Sequence, residues 1–520
     1  MSVAAPTPQP PSLSSLTLAP TSKYTIFENW LLSNGAKFPD LELRAYDDPT
    51  SSSKPDKESK TSDPSPSSPP STDDDSEMRG VHALRDLPPN NVCVSVPRKC
   101  LITVEMGKST SIGQAILRNN LDLDAPKHVF LMVFILKDRK DPNSFFKPYY
   151  DILPPGLNNM PIFWTPEELK LLTGSYLLKQ ISDRKEAITE DYNLITSVCP
   201  ELSSIATLQD FMWARMCVCS RNFGLLINGL RTSALVPHAD MLNHFRPRET
   251  KWTFDNDSQC FTITTLQGIR GGDQIYDSYG QKCNHRFLLN YGFAVEDNKE
   301  QDGFCPNEVP IEITLQQQQS ADDDNYSSLK TEFWTRDSSP ITKRVRVCVS
   351  NNDNTKSLLS MLRVAASNGA ELQAITQAGP YMYRSVKDVR FSIGVDNEIR
   401  AMELLKNIVD EQMKAYPTSI KEDELALKGP SLVPYSNDRH ARIQVLGEKR
   451  VLEHYSEFAN SAIECLNGEL GDDEFDQMVE KVGREKHHTI AQYVKDVVGG
   501  IRREERRRGR KEGEEGGGHF

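Results

Sequence analysis

The spacing of apolar positions changes several times along the chain, and each change marks an element. Ile26, Phe27, Trp30 and Leu31 recur at helical spacing and stop near Asn34-Gly35, which predicts a short amphipathic helix. Val81 to Glu105 reads as short strands, with Leu87-Pro88-Pro89-Asn90-Asn91 as a turn. From 107 to 220 the period becomes helical, over 113–119, 126–137, 165–198 and 207–220. Thr165-Pro166-Glu167-Glu168 opens a helix well: a hydroxyl cap, a proline in the first turn, then acids facing the positive end of the dipole. Trp252-Thr253-Phe254 and Cys260 to Thr265 flank Asp255-Asn256-Asp257-Ser258 as strand, turn, strand, and Gly271-Gly272-Asp273 leads into Gln274-Ile275-Tyr276.

Further on, Pro310 to Leu315 reads as a strand and helical spacing then returns. Asp396 is placed to cap a helix carrying Ile399, Met402, Leu405, Ile408 or Val409, and Met413. Another is expected to start at Gly447-Glu448-Lys449 and carry Leu452, Tyr455, Phe458 or Ala459, and Ala462. Three stretches break the pattern. Residues 47–78 collapse to Ser, Pro, Asp and Lys and read as a disordered insertion. Residues 316–324 are a low-complexity loop. From about Leu466 the chain turns polar, and 468–520 reads as a charged tail with a dense basic run, Arg502 to Lys511, that suits either a solvated tail or a nuclear-localisation segment.

Composition adds limits. At 520 residues the chain exceeds what one hydrophobic core usually serves, so two or three folded units are expected. An apolar share of 38% and a mean hydropathy of −0.52 fit substantial unstructured segments. No apolar run approaches the roughly 20 residues that span a bilayer. Residues 1–22 are rich in Pro, Ser, Thr and Ala without an acid, a composition shared by plastid-type transit peptides and plain disordered starts. A net charge of −12 argues against the whole chain being a nucleic-acid binder and is compatible with a basic peptide as partner. The ten cysteines form no CxxC pair, and Cys217-Val218-Cys219 sits in an apolar helical run as buried thiols would, so a reducing compartment, cytoplasmic or nuclear, is the simplest inference.

The chemistry concentrates between Leu235 and Phe293. Leu235-Val236-Pro237-His238-Ala239-Asp240-Met241-Leu242-Asn243-His244 opens the stretch; Tyr276-Asp277-Ser278-Tyr279-Gly280 and Asn290-Tyr291-Gly292-Phe293 close it. An Asn-His pair and two tyrosines beside glycines thus fall at the ends of short β elements, where rigid scaffolds display functional groups and where backbone can approach a ligand.

This combination resembles the catalytic half of a SET domain, an S-adenosylmethionine-dependent protein methyltransferase fold, in the variant found in Rubisco large-subunit methyltransferase and actin-histidine methyltransferase. Gly80 to Leu87, Val96-Pro97-Arg98-Lys99 and Thr103-Val104-Glu105 are similar to that family's opening strands, and Asn143 to Tyr149 to its helical insert. The resemblance covers roughly residues 24–46 and 79–467. It implies an α+β architecture: a SET domain of short strands over 23–305 with a helical insert at 107–220, then a helical substrate-binding domain over 306–467. It also implies S-adenosylmethionine as methyl donor, a protein substrate, a monomer, and no metal, because flanking zinc-cysteine clusters are missing.

By the same resemblance Tyr279 is the catalytic phenol and Tyr291 the second tyrosine of the target channel. Asn243 and His244 match the donor contact, Arg221 the arginine that approaches the donor's carboxylate, and Glu105 and Met106 the position after the first strands. Gly292 and Phe293 fall under the adenine. At the family's arginine near Gly80 this chain has His82. The histidine-methylating branch has Asn at Phe223 and Trp at Ala239. Both depart here toward the lysine-methylating pattern, so lysine is the expected target, with histidine methylation or a catalytically silent partner-binding protein as the alternatives. A dinucleotide-binding reading is disfavoured, since no GxGxxG follows a strand.

Overall fold

The computed structural model describes residues 22–46, 78–315, 324–336, 340–350, 352–377, 386–468 and 471–516. The expectations for 1–21, 47–77 and 316–323 lie outside the described residues. The chain divides into two compact units. One comprises residues up to 164, 181–280 and 289–292; the other comprises 165–180, 281–288 and 293 onward.

The first unit is built of short strands: β1 (Leu41–Tyr46), β2 (Met78–Ala83), β3 (Val92–Pro97), β4 (Ile102–Thr103), β5 (Asn222–Ile227), β6 (Leu230–Leu235), β7 (Asn243–His244), β8 (Thr250–Asp255), β9 (Cys260–Thr265) and β10 (Gln274–Asp277). Among the described residues they form three sheets, ordered β1-β2-β10-β7, β3-β9-β8 and β4-β6-β5. The β8–β9 hairpin follows the predicted alternation: Phe261, Ile263 and Thr265 are buried while Cys260, Thr262 and Thr264 are half-buried. The N-terminal helix, Ser22–Ser33, buries Tyr24, Phe27 and Leu31; Ile26, expected on that face, points to solvent. Three helices of the insert appear where predicted, as Ser111–Arg118, Pro126–Asp138 and Leu208–Arg221, whereas the stretch expected to be helical over 165–198 is broken at 171–176 into Pro166–Lys170 and Leu177–Val198, with Gly174 at φ +89 in the break.

Helical spacing did not reveal which unit residues 165–180 join. They belong to the second unit, where Glu168 accepts from Asn437 at 2.7 Å and Ser175 donates to the buried Glu448 at 2.8 Å. Residues 293–305 go with it as well, so the boundary departs from the expected 305/306.

The second unit pairs β11 (Val309–Thr314) with β12 (Thr342–Val347) in an antiparallel ribbon. Its longest helix, Asn437–Asn467, starts ten residues before the expected Gly447 and is capped by Ser436. Gly447 lies inside it for a packing reason: a Cβ there would come within 2.9 Å of the Asn307 amide. Met402, Leu405 and Val409 of Val395–Lys414 are buried as their spacing predicted, with Ala401 beside them.

The reading of 468–520 as a charged polar tail is corrected: its described part packs as helices. Asp472–Glu485, His488–Tyr493 and Gly499–Gly516 are helices, and Phe475, Val482, Ile490, Val494, Val498 and Ile501 are buried. Arg502 donates to the carbonyls of Cys465 and Gly468 at 2.7 and 2.5 Å. A sparse apolar stripe suffices to dock a helix even when the average composition is strongly polar.

Candidate active site

The site is organised by the parallel pairing of β7 and β10, which sets Asn243 opposite Tyr276 and His244 opposite Asp277. The two stretches singled out in the sequence therefore meet. Past the end of β10 the chain turns back, and the Tyr279 backbone N–H donates to His244 Nδ1 at 3.0 Å. That bond makes Nδ1 the acceptor and leaves the ring proton on Nε2. The two rings lie 5.1 Å apart at 26°. The Tyr279 hydroxyl donates to the Leu242 carbonyl at 2.8 Å, and its ring stacks on Tyr291 at 4.9 Å and 24°. His244, Tyr279 and Tyr291 thus form one aromatic stack. Burial raises the pKa of the Tyr279 phenol above its ordinary value, so it is protonated at neutral pH.

Asn243 directs its amide N–H groups to the Arg79 carbonyl and to Gln274 Oε1, both at 2.7 Å. This ties β7 to β2 and β10. Gly80 is small for the same reason, since a Cβ would come within 2.7 Å of the Gln274 amide. His82, where the resembled family has a donor-contacting arginine, is buried and bonds the Gly272 carbonyl through Nδ1 at 3.0 Å.

Arg221, at the end of its helix, reaches Asp240 twice through Nη1: 3.1 Å to the carbonyl and 3.2 Å to Oδ2. The Tyr149 hydroxyl donates to the same Oδ2 at 2.8 Å. Burial pushes the Asp240 carboxyl pKa up, and Arg221 and the Tyr149 hydroxyl oppose that push. Tyr149 and the Asp240 side chain are fully buried. Arg221 Nε and Asp240 Oδ1 are buried without a hydrogen-bond partner among the described residues, the mark of a place shaped for a further polar group. Asp240 and Tyr149 were missed as site residues. Each stood in a stretch that attracted attention, but nothing local signals that they converge.

The remaining residues are placed as follows. Glu105 accepts from Thr232 Oγ1 at 3.3 Å, on the β4-β6-β5 side, and Met106 Sδ folds back to the Thr103 N–H at 3.4 Å. Phe223 packs edge-on against Trp252 and Phe261, at 5.4 and 5.0 Å. Ala239 is buried in the short turn Ala239–Met241. Gly292 has φ +78, and a Cβ would meet Asn159 Nδ2 at 2.2 Å, so only glycine fits. Phe293 belongs to the second unit, where it stacks on Phe287 at 5.1 Å. His238, unremarked in the sequence, is fully buried at φ +75 and stacked on Phe38 at 4.1 Å, and neither ring nitrogen has a hydrogen-bond partner among the described residues.

This arrangement of short sheets defines the class: the fold is of the SET type. Among solved structures it is similar to the SET domain of LSMT bound to lysine and AdoHcy, with a TM-score of 0.66 and 20% identity over 86% of this chain and 93% of that one. It is also similar to Rubisco LSMT bound to AdoMet, with a TM-score of 0.64 and 20% identity over 90% of this chain and 98% of the other. Residues 321–452 match the Rubisco LSMT substrate-binding family. More particularly, the chain is 27% identical to the actin-histidine N-methyltransferase of Mus musculus over 387 residues and 26% identical to that of Homo sapiens over 389, in each case 72% of this chain. It spans 62% of the length of these curated relatives. Together these findings support the resemblance to SET-domain proteins of the Rubisco LSMT and actin-histidine methyltransferase type.

Proposed function

We propose that the protein is an S-adenosylmethionine-dependent protein methyltransferase whose target is a lysine side chain. The observation that carries this reading is the meeting of Asn243-His244 with Tyr279 across the β7–β10 pair. When bound, S-adenosylmethionine supplies a sulfonium methyl group for in-line transfer. Asn243, His244, Arg221, Glu105, Met106 and Gly292, all of the first unit, are the residues assigned to hold it; Phe293, expected with them, belongs to the second unit and is left out of the assignment. The unmet donor of Arg221 suits the carboxylate end, since a guanidinium fork matches carboxylate geometry.

Tyr279 is protonated, so it orients rather than abstracts a proton. A phenol that donates to the Leu242 carbonyl still has acceptor lone pairs for an amine N–H. Tyr291, stacked on it, supplies an aromatic wall. A free lysine pKa of about 10.4 keeps the amine protonated at neutral pH, and an apolar aromatic channel disfavours that ammonium.

Lysine is preferred over histidine because of two side chains. Phe223 has no hydrogen-bonding group for an imidazole nitrogen, and Ala239 leaves room for an aliphatic stem. The similarity to the actin-histidine N-methyltransferases favours the second reading, histidine methylation, and the same experiment separates the two. Wild type and Tyr279→Phe are incubated with labelled donor and with protein extracts whose lysines or histidines have been chemically blocked. Label lost on lysine blocking and absent with Tyr279→Phe is the expected result. Label that survives lysine blocking but not histidine blocking would transfer the assignment to histidine. Donor binding without label on any extract would indicate a silent binding protein.

A further inference from the structure

The second unit contains a cluster that the methyl-transfer reading leaves unused. Cys283 and His285 flank the first residue of the helix Asn284–Tyr291, and Glu308 immediately precedes β11. Cys283 and His285 are buried, and the Glu308 side chain is 24% exposed. Cys283 Sγ lies 3.4 Å from His285 Nε2 and 3.9 Å from Glu308 Oε1, while His285 Nε2 lies 3.8 Å from that same oxygen. One sulfur, one imidazole nitrogen and one carboxylate oxygen therefore face one point.

We propose that Cys283, His285 and Glu308 form a binding site for a zinc-like divalent metal ion. Three features argue for it. The first is size. Ligands at about 2.3 Å (sulfur) and about 2.0–2.2 Å (nitrogen and oxygen) in a tetrahedron stand about 3.4–3.6 Å from one another. The three distances found are within a few tenths of an ångström of those edges. The second is charge. A thiolate, a neutral imidazole and a carboxylate sum to −2, which a divalent cation neutralises, as a mostly buried site requires. The thiol proton is released to solvent on binding.

The third is support behind the ligands. His285 Nδ1 is hydrogen-bonded to the Tyr176 hydroxyl, which holds the ring so that Nε2 faces the sulfur and the carboxylate. Asn307 Oδ1 accepts from the Asn284 N–H at 3.0 Å and from Asn298 Nδ2 at 2.7 Å. Asn284 in turn bonds both the N–H and the carbonyl of Val295, at 2.9 and 2.8 Å. These bonds fasten the segment carrying Glu308 to the turn carrying Cys283 and His285, so the three ligands are pre-positioned. Glu308 Oε1 also faces Arg346 Nη1 at 3.5 Å, a half-exposed partner that a bound ion would compete with. The expectation of no metal rested on the missing zinc-cysteine clusters that flank other SET domains, and this cluster is of a different kind. A Cys-x-His step with a glutamate 23 residues further on carries no recognised spacing.

The test uses the full chain, stripped with chelator and titrated with cobalt(II) alone. Cobalt reports thiolate ligation by a charge-transfer absorption and tetrahedral geometry by its visible bands, and neither readout depends on methyl transfer. One cobalt per chain is expected, with both signatures, displaced by zinc. Cys283→Ser should abolish the charge-transfer band and weaken binding by at least about tenfold, and Glu308→Gln, at the more exposed ligand, should weaken binding while keeping the band. Cys465→Ser, at a buried cysteine near the end of Asn437–Asn467 and 18 residues along that helix from Gly447, should change neither. Failure of wild type to take up one equivalent, or an unchanged band in Cys283→Ser, would overturn the proposal. Should Cys283→Ser fail to fold, the wild-type spectrum and Glu308→Gln still decide it.

Discussion

The backbone N–H of Tyr279 ends on the Nδ1 of His244, 3.0 Å away, and the phenol of the same tyrosine ends on the carbonyl of Leu242, 2.8 Å away. One residue is thus gripped at both ends by the segment that carries Asn243-His244. A side chain held in this way loses little further freedom when a substrate arrives, which is what positioning chemistry requires.

Tyr279→Phe removes the hydroxyl without disturbing the ring stack or the backbone bond to His244. Methyl transfer to protein substrate should fall by about two orders of magnitude, the usual scale for one well-placed polar group. Donor affinity measured by calorimetry should change little. Folding stability should drop by about 1 kcal/mol for the lost hydrogen bond. Equal methylation by the two proteins would remove the phenol from the mechanism.

Arg221 and Asp240 form a buried pair with Tyr149 as third member. Arg221→Met should leave an uncompensated carboxylate inside the first unit and cost about 3–5 kcal/mol in urea unfolding. Adding Asp240→Leu should restore part of that loss, because it removes the stranded charge while leaving the buried Tyr149 hydroxyl without its acceptor. A double variant as unstable as the single one would show that the pair is not what holds this region.

Gly292→Ala should be destabilising for two separable reasons. The positive φ costs a residue with a Cβ about 1–2 kcal/mol, and the new methyl collides with Asn159. In an Asn159→Ala background the side-chain collision disappears, leaving the φ cost and a tight 3.1 Å approach to the backbone carbonyl at position 159. A thermal-melt comparison of the four proteins checks this, and a penalty unchanged by the second substitution would refute the collision.

His238 sets a pH dependence. Burial lowers its pKa from the ordinary 6.5 to about 4. The unfolded chain therefore binds a proton between those values that the folded chain does not, and stability falls as pH drops from about 6.5 toward 4. For this one group the loss is on the order of 3 kcal/mol. His440 and His454, both buried with pKa values lowered to about 4, act in the same direction. His238→Phe keeps the stack on Phe38 and removes the titrating nitrogens, so its stability profile should be flatter over that range. Parallel profiles for wild type and variant would contradict this account.

Much of the local structure follows from the chain alone. The turn 255–258 between β8 and β9, the cap at Thr165 and the helices 126–137 and 207–220 are set by side-chain period and turn chemistry, which are short-range properties. The chemical character of the site was also legible, because Asn243-His244, Tyr279-Gly280 and Tyr291-Gly292 are compact motifs. Less visible were features carried by few residues in an unfavourable background. The helices after 471 were hidden by their charge, and Gly447 looked like a helix start because the atom that requires it small, on Asn307, lies far away in sequence.

By itself the sequence determined which segments curl and which extend, and which of them carry polar groups suited to a cofactor. Only the tertiary structure decided that Arg221 would face Asp240 and that Asp240 would face Tyr149, 91 positions before it. The same holds for Cys283, His285 and Glu308, which converge across a helix start and a strand start. The physical reason is range. Period and propensity act over a few residues, whereas the placement of a buried charge or a ligand atom depends on which distant groups close around it once the core has packed.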